Sequence, residues 1–221
     1  VEDEWLVWQL ADSAFPAGSF AHSGGLEAAW QQGRVSRGES VEAFIDAAVA
    51  QAAHASLPLM LAAHRNPSRL IELDHLCNAM LSNHVANRAS RAQGQSLLAA
   101  AQRIFGVTEI AELQATVRRT SSPTHMGPVF GAITAALNVN ESRASRLFIF
   151  CALRGLVSSA VRLGIFGPME GQSIQVRASV RAELYAARAM QTDPDDAAQT
   201  APMLELLQGG HDRLYSRLFQ S

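Results

Sequence analysis

Val41, Phe44, Ile45, Ala48, Val49 and Ala52 recur three and four residues apart, which puts all six on one side of an α-helix. Blocks of this kind fill the chain, and each is bounded by a capping or breaking residue. The spacing predicts a short helix over 5–10, then a loop from Asp12 to Phe20 punctuated by Pro16 and Gly18. A second short helix should follow Gly24-Gly25 and stop at Gly33, a residue free to turn left-handed. Ser40 is the expected N-cap of a helix running to His64 with a bend near Pro58. Asn66-Pro67 should open the helix that carries Ile71, Leu73, Leu76, Cys77 and Met80. Further helices are expected over 83–105, capped by Ser82 and ended by Gly106, and over 108–119. Ser121-Ser122-Pro123 breaks the pattern before a small-residue helix at 126–137. Asn140 should cap a central helix at 141–163, ended by Gly164, Gly167 and Pro168. A last long helix is expected at 170–190; within it Ser173 to Val176 alternate as a strand would, but no partner strand is visible.

The expected fold is therefore all-α, a compact single-domain helical bundle with a short C-terminal tail helix. With 221 residues, 48% of them hydrophobic, the chain can bury a full core. Ala is abundant, and the β-branched enrichment of a sheet protein is missing. Residues 1–191 should form the bundle. Residues 192–221 should form a linker around Asp193-Pro194-Asp195-Asp196 and a tail containing a short helix at 202–207 and an amphipathic turn from His211 to Phe219. The most apolar stretch, Leu147 to Phe166, is interrupted by Arg154 and Arg162 and reads as a core helix, not a membrane span. The opening Val1-Glu2-Asp3-Glu4 lacks the basic start of a signal peptide. Cys77 and Cys151 lie far apart in apolar helical pattern, as reduced core thiols do; a cytoplasmic location fits.

The charged residues exclude several chemistries. All 18 basic residues are Arg, so there is no P-loop, Schiff-base or general-base lysine. The net charge is −2 with no basic patch, which argues against nucleic acid as a partner. None of the seven histidines forms a pair at helical ligand spacing, and no Cys-x-x-Cys exists, so no metal site is expected. His54 and His64 could meet only through the bend near Pro58. His22-Ser23 beside Gly24-Gly25 lacks the Gly-x-Ser-x-Gly pattern of a nucleophile elbow and reads first as a structured loop. A helical enzyme using His22 and Ser23 stays as the alternative; it would need a pocket where they converge with Asp12 or Glu27. A generic helical scaffold is a third reading. Arg154 and Arg162 must be paired if buried, and Arg162, beside the 164–168 break, is the better candidate for a partner contact. Tyr215, Arg217, Leu218 and Phe219 either dock on the body or present a patch of hot-spot composition.

The run from Trp8 to Glu27, with Phe15, Pro16, Gly18, Phe20, His22-Ser23 and Gly25-Leu26-Glu27 in fixed order, closely resembles the N-terminal signature of the UreF family. Arg91-Ala92-Gln93-Gly94, Pro128-Val129-Phe130-Gly131, Ser158 to Gly164 and the ending His211 to Ser221 resemble further family segments, so the likeness spans essentially the whole chain. The resemblance implies an all-α homodimer that works as a non-catalytic adaptor in nickel insertion into apo-urease. It would bind UreD (also called UreH), recruit the GTPase UreG and couple GTP hydrolysis to metal delivery. No cofactor would be stably bound, and nickel would be handled by the wider complex. On that reading Phe15, Pro16, Gly18, Phe20, His22, Ser23 and Arg162 shape one partner surface. Tyr215, Arg217, Leu218 and Phe219 would engage UreD.

Overall fold

Two glycines set how closely the central helices pack. In a computed structural model describing residues 3–221, a Cβ placed on Gly131 would lie 2.0 Å from the Met60 carbonyl oxygen. One on Gly94 would lie 2.1 Å from that of Thr124. Only glycine permits backbones this near. Gly131 belongs to α8 (Met126–Ala136), which lies against α4 (Leu57–Arg65). Both are apolar nearly all round, and 57–63 is buried at every residue, which is why they form the centre of the bundle. Gly94 belongs to α6 (His84–Phe105), the next helix against α8.

The remaining helices surround this pair. They are α1 (Asp3–Ala11), α2 (Leu26–Gln31), α3 (Glu39–Gln51), α5 (Leu70–Met80), α7 (Thr108–Thr120), α9 (Glu141–Arg162), α10 (Pro168–Ala189) and α11 (Pro202–Gly209). Val1 and Glu2 of the acidic opening lie outside the described residues. Among the described residues there is no strand, and 173–176 lies within α10. Two helical stretches, Glu39–Arg65 and Glu141–Arg162, are long and apolar enough to cross a membrane, but 56% of the apolar 18-residue window in each is buried inside the bundle, as in core helices.

Local chemistry explains most boundaries. Gly33 and Gly106 take positive φ and end α2 and α6. The Asn140 side chain accepts from the Ser142 and Arg143 amides to start α9. Two expected caps are displaced. Asn83, not Ser82, caps α6 by accepting from Val85 and Ala86. Ser40 lies inside the first turn of α3, which begins after Gly38; its hydroxyl accepts from the Ser36 amide. The bend expected near Pro58 takes the form of a π-turn at Ala52–Ser56 between α3 and α4. Pro58 has no N–H for the carbonyl four residues back, and that carbonyl, on His54, accepts from Ala198 instead. The missing donor thus ties the 190s segment to the bundle, although its sequence reads as solvated linker. Pro168, expected to end α9, instead opens α10 as its first residue.

Candidate functional site

The signature loop is a set of tight local turns. The Asp12 carboxylate accepts from the Ala14 amide at 2.9 Å, and Phe15 stacks on Phe105 with ring centroids 6.1 Å apart. Pro16 is exposed. Gly18 (φ 73°) leads into a 3-10 turn at Ser19–Ala21, and Gly24 and Gly25, both left-handed, turn the chain into α2. At Gly25 a side chain would also press on Gln208 of α11.

The C-terminal segment lies directly on this loop. Gln220 donates from its amide to the Ala21 carbonyl at 2.8 Å. Ser23 donates to the Ser221 carbonyl from both its amide (2.6 Å) and its hydroxyl (3.0 Å). His22 Nδ1 lies 2.5 Å from Ser221 Oγ. Burial lowers the His22 pKa from its ordinary value, and Arg88 and His211 lower it further. Arg162 donates to the Phe20 carbonyl, and its guanidinium sits 3.8 Å from the Phe20 ring centroid and 4.2 Å from that of Phe219. Its internal partners are therefore two aromatic rings and a carbonyl. Arg154 sits over Phe150 at 5.7 Å.

Glu27 is the hub beneath the segment. It is 1% exposed, and its carboxylate accepts from the amides of Leu218 (2.6 Å) and Phe219 (3.1 Å). It also bonds His211 Nε2 at 3.0 Å and accepts from Gln31 Nε2 at 3.3 Å. Gln31 reaches on to the Ser216 carbonyl. A buried carboxylate tolerates burial only with such a set of donors. The segment's fate was open from composition; the structure docks it. Phe219 is buried within the chain, against the expectation that it faces a partner, because Glu27 and Arg162 draw it inward. Tyr215 is fully exposed, and Arg217, Leu218 and Phe20 are exposed as well. The amphipathic turn expected to Phe219 is only a 3-10 turn at His211–Arg213; beyond it the segment is irregular, because its amides serve Glu27 and Ala21 rather than a helix.

The enzyme alternative required His22, Ser23 and Asp12 or Glu27 to converge. His22 and Ser23 do border a cavity, but both bond Ser221, Asp12 holds Ala14, and Glu27 is saturated by tail donors. His54 bonds Ala50 and His64 bonds Val139, so those two do not meet. Among the described residues no three His, Cys, Asp or Glu side chains group as a metal site. Cys77 and Cys151 are unpaired thiols, pushed up by burial to about 12 and about 11. Sequence reasoning missed Glu27 as the anchor, along with His211 and Ser221. An acidic residue in the first turn of α2 is ordinary for a helix N-terminus, and nothing local marks it as buried.

Fold and site define an all-helical protein in which buried polar groups hold the C-terminal segment on the signature loop. A family model described as UreF matches residues 35–179. Urease accessory protein F of Arabidopsis thaliana is 36% identical over 99% of this chain and 92% of its own length. Urease accessory protein F of Oryza sativa subsp. indica is 35% identical over 97% and 84%. Urease accessory protein UreF of Arthrobacter sp. (strain FB24) is 31% identical over 96% and 95%. The chain belongs to the UreF family of urease accessory proteins, helpers in urease maturation rather than enzymes.

Proposed function

We propose that this chain is a cytoplasmic, non-catalytic adaptor in nickel insertion into apo-urease. It bridges UreD (UreH) and the GTPase UreG and couples GTP hydrolysis to metal delivery. It binds no cofactor of its own, and nickel is cargo of the complex. One observation carries the reading: Glu27 fixes the C-terminal segment on the signature loop with Tyr215, Leu218 and Phe20 turned outward. A preset aromatic and aliphatic patch, rimmed by Arg217, has the make-up of a protein-binding surface and loses little freedom on docking. This is the surface we assign to UreD. The homodimer contact is assigned to a second exposed patch on α1 and α9, where Trp5, Trp8 and Phe150 face outward and the two indoles stack edge to face at 5.1 Å.

The double variant Tyr215→Ala/Leu218→Ala tests the UreD surface. Both side chains are exposed, so thermal unfolding should move little, by about 0.5 kcal/mol or less. Co-purification with UreD should fall at least about tenfold, as expected on losing hot-spot residues. Full UreD binding by the double variant would remove the assignment.

A further inference from the structure

The docking of the tail and the aim of one of its side chains have separate causes. Glu27 anchors the backbone at Leu218 and Phe219, and Ala21 and Ser23 hold its end, so docking is accounted for without any surface charge. A second set of contacts nevertheless joins α6 to the same segment. The Asp212 carboxylate, in the 3-10 turn at His211–Arg213, accepts from Arg88 through both oxygens, at 2.8 and 3.1 Å. Such a two-point grip fixes a carboxylate in orientation as well as in position. His84 Nε2, one turn earlier on α6, lies 3.2 Å from one of the same oxygens. The hydrogen bonds from Arg88 hold the Asp212 carboxyl below its usual range. Arg217 then donates to the other oxygen at 3.4 Å.

Exposed ion pairs add little to stability, and these three side chains are 32% to 51% exposed, so the network is not what folds the chain. What it restricts is conformational freedom. A surface arginine samples many rotamers, and ordering it on binding costs affinity. Arg217 is tied through one nitrogen and makes no other hydrogen bond or ion pair among the described residues. Its remaining donors form a planar fork that matches a carboxylate. Two arginines share the one Asp212 carboxylate, which leaves a net positive charge and favours an acidic group opposite. We infer that Asp212, locked by Arg88, is a positioning residue that holds Arg217 ready for a carboxylate of the partner covering Tyr215 and Leu218. The inference rests on the assignment of that surface to UreD.

Two readouts separate the positioning from the surface it serves. On the purified chain, NMR relaxation at the arginine Nε–H groups reads side-chain order with no partner present. Arg217 should be well ordered. In Asp212→Ala and in Arg88→Gln its order should drop to that of Arg213, which has no ion pair. With UreD, Arg217→Ala should weaken binding at least about tenfold and Asp212→Ala at least about threefold. The double variant should bind no more weakly than Arg217→Ala alone, because a residue that acts through another loses its effect once the other is gone. A purely structural role for Asp212 would add its full loss in the double variant. Unchanged Arg217 order in either single variant, or additive losses in the double, would overturn the inference. Undiminished UreD binding by Arg217→Ala would overturn the partner contact, even where Arg217 order follows Asp212. If Tyr215→Ala/Leu218→Ala still binds weakly in that case, the UreD surface stands and only this contact fails.

Discussion

Two buried carboxylates do the same chemical work in two places. Asp74 and Glu27 are each 1% exposed, and each accepts backbone amides from a segment about fifty or more residues away. Asp74, on α5, holds Thr124 (2.7 Å), His125 (2.6 Å) and the Ser122 hydroxyl. His125 is itself fully buried between Ser90 and Asn78, and Gly94 presses on the Thr124 carbonyl from the other side. The three groups it holds, on Ser122, Thr124 and His125, are all buried, although Asn78 and Ser121 at the margin are exposed. Glu27 instead holds a segment whose next residues, Tyr215, Arg217 and Leu218, face solvent. A buried charge can thus close a core or pin a display surface. What differs is whether the held segment can leave and be hydrated.

Asp74→Ala should give the largest effect. It strands buried donors that cannot reach water without opening the bundle, so urea unfolding should show a loss of about 3–5 kcal/mol. Glu27→Ala should cost less, about 1–3 kcal/mol, because the segment can detach and hydrate the Leu218 and Phe219 amides. Amide exchange at 214–221 should accelerate in that variant while α4 and α8 stay protected. Equal losses in the two variants, with the tail still protected, would erase the distinction and make the tail part of the core.

The smallest effect is in pH dependence. Burial is the leading cause that lowers both His125 and His22, with charged neighbours secondary. Each therefore binds its proton less readily folded than unfolded, where the value is near 6.5. Stability from this source is complete above that value and is lost as pH falls through it toward the folded pKa. Denaturation midpoints should fall below pH 6.5. In His125→Asn and His22→Asn the fall should be shallower, the former in global unfolding and the latter in tail exchange. A midpoint that does not change between pH 7.5 and 5.5 would refute the buried neutral state of both.

Much of the fold was legible because its signals are local. Helical spacing, Asn140 as a cap, and Gly33 and Gly106 as stops depend on residues within a turn or two of each other. The misses were local signals in competition: Ser82 and Asn83 are both good caps, and only the structure chose between them. The site was legible in part. The signature residues mark the loop, and Phe15, Gly18, His22 and Ser23 do build it. Phe219 faces inward because Glu27 and Arg162, 192 and 57 residues away, claim its amide and its ring.

The sequence by itself determined an all-helical chain, its breaks, the absence of lysine chemistry and a family likeness from end to end. Those follow from short-range periodicity and from which residues are present at all. Only the tertiary structure decided that the tail is docked, that Glu27 holds it, and that Arg88 and Arg217 share Asp212. Each of those depends on groups distant along the chain meeting in one place, and the energy of a buried charge or a shared carboxylate exists only once they have met.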